Sequence, residues 1–248
     1  MNSIYVVLWI LIIQVNCQNK TLPLQRKHHT ATFINNKLYI LGGNVIFAEE
    51  DKKFVGKGFF SLDFSTKFKT TQELSWNDMT NDNIVPAHSG ATTVKGVDDK
   101  TLILYGGSHF KSERMSLIYN YDTIDNRWNE LNESYPHRSG ITAINCDSIM
   151  YLFGGFSKKE RTVNEMLYLN LQTLQWGIAS SINGPDPRMD YGAVLLLDKN
   201  IMYLGGRRGP KSSSLSQVFL YNTTSDKWIS RGTSGSIPSN RYGFSAVL

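Results

Sequence analysis

Five times along this 248-residue chain a basic side chain stands three positions ahead of a short run of mostly small residues. The copies read Arg26-x-x-His29-Thr30-Ala31, His88-x-x-Ala91-Thr92-Thr93, Arg138-x-x-Ile141-Thr142-Ala143, Arg188-x-x-Tyr191-Gly192-Ala193 and Arg241-x-x-Phe244-Ser245-Ala246. Guanidinium groups that converge bind carboxylates or phosphates bidentately, which makes Arg26, Arg138, Arg188 and Arg241 candidate anion ligands. Further cations cluster in three segments: Lys111 and Arg114; Lys158, Lys159 and Arg161; Arg207, Arg208 and Lys211. The ligand this chemistry suits is an acidic peptide or acidic glycan. The acidic run Glu49-Glu50-Asp51 argues against a uniformly positive field. Catalytic chemistry is thin: Gly-x-Gly-x-x-Gly, Gly-x-Ser-x-Gly and paired-cysteine zinc motifs are absent. Asp98 with Asp99, and Asp186 with Asp190, read as solvated loop charges, and Cys146 between Ile144 and Ile149 reads as a buried structural thiol. His28, His29, His88, His109 and His137 show no metal-ligand spacing on one element, so neither a metal nor a cofactor is expected.

The elements that must position these cations are strands. Apolar runs end in Gly-Gly at Gly42-Gly43, Gly106-Gly107, Gly154-Gly155 and Gly205-Gly206, with the second glycines 64, 48 and 51 residues apart. Within each repeat the segment after the basic residue, with its small side chains, suits a strand at a crowded axis. The second strand is unbroken in apolarity, as in Leu38-Tyr39-Ile40-Leu41, so both of its faces are covered. A third strand closes on Asp63, Asp122, Asn170 or Asn222, where an Asx turn starts a hairpin. Trp128, Trp176 and Trp228 each follow that residue by six positions on a fourth strand, with Trp76 as the counterpart in the first copy. Their phase with the repeat makes them wedges between repeats, since an indole buries a large area and carries one donor.

The paired glycines and in-phase tryptophans resemble the kelch-repeat family of β-propellers, whose period is near 50 residues. The resemblance covers Arg26 to Leu248; His88 in place of arginine, and Asn170 and Asn222 in place of aspartate, depart from the family pattern. It implies an all-β propeller of four-stranded antiparallel blades over 26–85, 86–135, 136–186 and 187–240, with 241–248 opening a fifth. Because such rings usually close with five to seven blades, the chain reads as part of a longer product. The resemblance also implies that loops from strand two to three, and from strand four to the next blade, share one partner-binding face. The strand-start arginines have an alternative role there, bonding backbone carbonyls of a neighbouring blade. The expected function is a secreted or cell-surface module binding a protein or glycan partner. The alternative is a copper radical oxidase resembling galactose oxidase, with its metal site outside this chain, because no Tyr-His dipeptide is present.

The bulk properties fit. Hydrophobic residues make up 41%, enough for one sizeable core, and the net charge of +5 comes without a basic block, so no nucleic-acid partner is expected. Residues 1–17 lack charge and include the ten-residue apolar run Ile4 to Ile13, too short to span a bilayer; a secretory signal cleaved before Gln18 is expected, with an uncleaved anchor as the alternative. Residues 18–25 form a linker, and a membrane enters only through an anchor beyond Leu248. Loss of Cys17 with the signal leaves Cys146 without a disulfide partner, so packing must hold the fold. Sequons at Asn19, Asn132 and Asn222 suit secretion.

Overall fold

The structure, a computed structural model, describes residues 22–45, 54–65, 67–69, 74–109, 115–131 and 135–248. The signal segment, Asn19, Asn132, Lys111, Arg114 and the acidic run at Glu49 lie outside the described residues. Sixteen strands form four antiparallel four-stranded sheets, each in simple sequence order. Blade one is β1 (Thr30–Ile34), β2 (Lys37–Leu41), β3 (Phe59–Asp63) and β4 (Trp76–Asp78). Blade two is β5 (Thr92–Lys95), β6 (Thr101–Tyr105), β7 (Ile118–Asp122) and β8 (Arg127–Leu131). Blade three is β9 (Ile144–Cys146), β10 (Ile149–Phe153), β11 (Met166–Asn170) and β12 (Trp176–Ala179). Blade four is β13 (Gly192–Leu195), β14 (Asn200–Leu204), β15 (Gln217–Asn222) and β16 (Lys227–Gly232). Among the described residues the only helical element is a 3₁₀ turn at Thr80–Asp82.

The unbroken apolar second strands have a direct packing explanation. On β6, Leu102 and Leu104 enter the cluster shared with blade one, whereas Ile103 and Tyr105 enter the cluster shared with blade three. On β10 the same split sends Met150 and Leu152 to blade two, and Tyr151 and Phe153 to blade four. Successive side chains of a strand point to opposite faces, so a sheet sandwiched between two neighbours needs apolar residues at every position. Among the described residues the core is therefore three inter-blade clusters.

The tryptophans occupy those seams. Trp128 packs edge-on against Phe59 of blade one at 5.3 Å, and Trp228 against Phe153 of blade three at 5.2 Å. Trp176 stacks on Tyr135, 4.5 Å away and 8° from parallel, and tilts against Tyr105 of blade two. Trp228 also donates its Nε1–H to the Ser180 carbonyl at 2.6 Å. Trp76, on the first blade, is half-buried.

The first strands stand nearest the axis and line a cavity of about 690 Å³. Their threonines cross-link adjacent blades: Thr32 bonds the Thr93 hydroxyl, the Ala143 amide donates to Thr92 Oγ1 at 2.9 Å, and Thr142 donates to the Tyr191 carbonyl at 3.1 Å. At one mouth of this cavity a single position repeats: His28, Gly90, Gly140, Asp190 and Gly243 all lie in the left-handed region, with φ between 55° and 67°. Their backbones form a relay around the axis. The amides of Gly90, Gly140, Asp190 and Gly243 donate to the carbonyls of His28, Gly90, Gly140 and Asp190 at 2.7–2.8 Å. A shared left-handed bend turns each amide toward the preceding blade's carbonyl, so the relay registers the blades against one another.

The paired glycines supply the second stitch. Gly43, Gly107, Gly155 and Gly206 donate their amides to the carbonyls of His88, Arg138, Arg188 and Arg241, each on the segment entering the next blade, at 2.8–3.0 Å. At Gly106, φ is +68°, and a Cβ there would stand 2.2 Å from the Arg138 carbonyl oxygen. Glycine is thus required twice over, by conformation and by approach.

The expected Asx turns are present in all four blades. Asp63 Oδ1 accepts from Ser65 N, while Asp122, Asn170 and Asn222 each accept from the amides two and three residues on, at 2.7–3.2 Å. Only Oδ1 is used, so asparagine serves as well as aspartate. Residues 241–248 differ from the expected strand: they make no ladder among the described residues. The bonds from Gly206 N to Arg241 O and from Gly243 N to Asp190 O nevertheless seat this segment on blade four as the earlier blade entrances are seated.

Candidate functional site

Each β-strand pair reverses direction, so the loops after the paired glycines and those leading into each blade emerge at the same end of the propeller. There the post-glycine loops fold into short antiparallel ribbons rather than open coils. Ser108 and His109 pair with Ser89 and His88, Phe156 and Ser157 with Thr162 and Arg161, and Arg207 and Arg208 with Ser212 and Lys211. Ladder bonds at their bases fix the side chains these ribbons display.

The strand-start arginines are held differently from the loop cations. Arg26, Arg138 and Arg188 each donate Nη1–H to the carbonyl of the first glycine of their own pair, Gly42, Gly154 and Gly205, at 3.0–3.1 Å. Arg138, whose side chain is 2% exposed, also bonds the carbonyl and the carboxylate of Glu165. Arg26 and Arg188 lie over the rings of Phe60 and Phe219 at 4.9 and 5.1 Å. These guanidinium groups brace the corner where the second strand leaves its blade, and the carbonyls they reach belong to their own blade rather than a neighbouring one. Arg241 is exposed and donates to the Ser239 carbonyl. His88, standing where the others have arginine, is buried and bonds the Pro86 carbonyl at 2.7 Å through Nδ1. Burial, with a smaller contribution from His109, holds its pKa below the ordinary histidine value.

Asp190 corrects an expectation. Far from being a solvated loop charge, its carboxylate is 6% exposed and accepts from Arg207 Nε at 2.7 Å, with His28 Nδ1 3.9 Å away across the axial mouth. Arg207 is thereby neutralised and lies over the Tyr242 ring at 4.9 Å. The sequence separates Asp190 from Arg207 by a full hairpin, and only the relay, which turns Asp190 inward, brings them together.

Lys158, Lys159, Arg161, Arg208 and Lys211 are exposed and make no ion pair with any described residue. They stand on the ribbons of blades three and four, with Arg208 directly opposite Lys211. Beside Lys158 and Lys159 a cavity of about 610 Å³ opens between blades two and three. It brings together His109 and His137, 28 residues apart in sequence, with ring centroids 5.9 Å apart. Spacing along one element cannot reveal such a pair, because each histidine comes from a different blade. Among the described residues no three His, Cys, Asp or Glu side chains are grouped to hold a metal ion. No helix among them is long and apolar enough to cross a membrane. Cys146 is buried, with Sγ 3.9 Å from Thr223 Oγ1.

Comparison with known proteins agrees with the geometry. The chain is 23% identical over 235 residues to Acyl-CoA-binding domain-containing protein 4 of Arabidopsis thaliana, an alignment covering 91% of this chain and 33% of that protein. Kelch domain-containing protein 3 of Homo sapiens is 23% identical over 159 residues, covering 60% and 42%. Tip elongation aberrant protein 1 of Schizosaccharomyces pombe is 31% identical over 111 residues, covering 44% and 10%. The chain spans less than half the length of each of these relatives. The family model of the KLHDC2/KLHL20/DRC7 Kelch-repeats domain matches residues 29–248. With blade-long repeats stitched at paired glycines and wedged by in-phase tryptophans, this chain belongs to the kelch-repeat family of β-propellers.

Proposed function

We propose that this propeller is an extracellular interaction module whose ribbon face grips an acidic segment of a protein partner. Kelch-repeat propellers are generally protein-interaction modules. The observation that carries the finer reading is the division of labour among the cations. Arg26, Arg138, Arg188 and Arg207 are engaged by carbonyls, carboxylates and rings, while Lys158, Lys159, Arg161, Arg208 and Lys211 are displayed on ladder-anchored ribbons without an ion pair to any described residue. Cations held on a rigid scaffold lose less conformational freedom on binding than cations on coil, and a cluster of one sign also steers an oppositely charged partner. Acidic glycans offer the same carboxylate chemistry, but extended peptides better match ribbons set side by side around a mouth.

The test is charge reversal. Arg208→Glu with Lys211→Glu should weaken binding of a fluorescent hexaglutamate peptide by about tenfold or more at low salt, with the unfolding midpoint unchanged, because both side chains are exposed. Undiminished binding by the reversed protein would refute the assignment of this face.

A further inference from the structure

Resting on that reading, we propose that the cavity between blades two and three is its acid-selective subsite: His109, His137, Lys158 and Lys159 take the carboxylate of an acidic side chain, more tightly as pH falls from 7.5 to 5.5. His109 Nδ1, His137 Nε2 and Arg138 Nε are buried and have no hydrogen-bond partner among the described residues. All three residues line the same 610 Å³ cavity. An unpaired buried polar atom costs on the order of 1–3 kcal/mol, and a ligand bringing acceptor oxygens relieves that cost. A carboxylate offers two such oxygens with about four lone-pair sites.

The charges around the histidines give this subsite its pH response. His137 faces His109 from the blade-two ribbon, Lys158, Lys159 and Glu160 from the blade-three ribbon, and Arg138 with its partner Glu165 on its own blade. Glu165 is committed to Arg138, so two lysines against Glu160 leave the empty cavity cationic. Burial, then His109 and Lys158, hold the His137 pKa below the ordinary histidine value, so the empty cavity is unprotonated there at neutral pH. A bound carboxylate reverses the balance by placing an anion beside the imidazole. Its pKa rises, and binding takes up a proton between the free and bound values. Hexaglutamate stays ionised across this window, since glutamate titrates near pH 4.3.

The experiment measures hexaglutamate binding to the full chain at pH 7.5 and 5.5 at constant ionic strength. The dissociation constant should fall about tenfold on acidification: one proton taken up throughout the two pH units would give about a hundredfold, and uptake is full only between the free and bound midpoints. In His109→Gln with His137→Gln, that ratio should shrink below about twofold, as neither imidazole remains in the cavity. Binding without a pH ratio in the wild-type chain, or a ratio that survives the double substitution, overturns the subsite while leaving the face assignment standing. Absence of hexaglutamate binding at both pH values overturns both. Should the double variant misfold, imidazole nitrogen shifts of the wild-type chain decide: saturating hexaglutamate must raise the His137 titration midpoint, and an unmoved midpoint refutes the proposal.

Discussion

Alanine at Gly106 tests the inter-blade stitch through a comparison within one molecule. Gly106 and Gly209 both have left-handed backbones, with φ of +68° and +58°, but a Cβ at Gly209 would meet nothing within 4 Å. Both substitutions therefore carry the conformational cost of placing an L-residue in that region, about 1–2 kcal/mol. At Gly106 the new Cβ would also stand 2.2 Å from the Arg138 carbonyl oxygen, a backbone atom held by the Gly107 amide at 2.9 Å. That carbonyl cannot rotate away as a side chain can, so the blades must separate locally. Loss of the Gly107 bond contributes about 0.5–1.5 kcal/mol, and repacking around an overfilled seam about 1–3 kcal/mol. The expected destabilisation is about 3–5 kcal/mol for Gly106→Ala against about 1–2 kcal/mol for Gly209→Ala. In a domain of this size each kcal/mol lowers Tm by about 2–4 °C, so thermal unfolding followed by near-ultraviolet circular dichroism resolves the two. Equal losses would mean that the close approach of Gly106 to the next blade contributes nothing, and the stitch would be wrong.

Four further outcomes follow from particular contacts. Arg138→Met strands the buried Gly154 carbonyl and leaves the half-buried Glu165 acceptors to solvent, and should cost about 1–3 kcal/mol in urea unfolding, whereas Arg241→Met, at an exposed guanidinium, should change stability by less than about 0.5 kcal/mol. Trp228→Phe loses the donor to Ser180 and part of the seam with Phe153, for about 1–3 kcal/mol, and should be worse than Trp76→Phe at its half-buried site. Burial depresses the pKa of His88, with His29 and His137 shifted in the same direction, so the unfolded chain binds more protons below its ordinary histidine pKa near 6.5. Stability should hold above pH 7 and decline as pH falls from about 6.5 toward the folded-state values, and the slope should flatten in His88→Gln; a flat profile in the wild-type chain would contradict the buried neutral imidazole. If the chain is secreted, expression in mammalian cells should yield a glycosidase-sensitive mobility shift that diminishes in Asn222→Gln, since Asn222 uses only Oδ1 in its turn; an unshifted band would argue against the secretory reading.

The sequence made the repeat legible because its physics is periodic. Glycine pairs, tryptophans and turn-closing Asp or Asn residues each answer a constraint that recurs once per blade, and the alternating commitment of Leu102 and Ile103 to opposite seams explains why a central blade strand shows no polar face. The site was less legible, for two reasons. A strand-start arginine looks identical in sequence whether it meets a ligand or the carbonyl sixteen residues on, as Arg138 meets Gly154. Groups far apart in sequence, such as Asp190 and Arg207 within blade four, or His109 and His137 from two blades, meet through geometry that no local pattern encodes. Departures from the family pattern proved informative in the other direction: asparagine replaces aspartate without loss at Asn170 because the turn needs one carbonyl oxygen and no charge.

Hydrogen exchange of the full chain, with and without saturating hexaglutamate at pH 5.5, most directly tests the assignment of the ribbon face. Added protection should fall on residues 156–162 and 207–212, with the hairpins at 96–100, 147–148 and 196–199 on the opposite end unchanged. Protection confined to those hairpins, or spread evenly over all four blades, would contradict it.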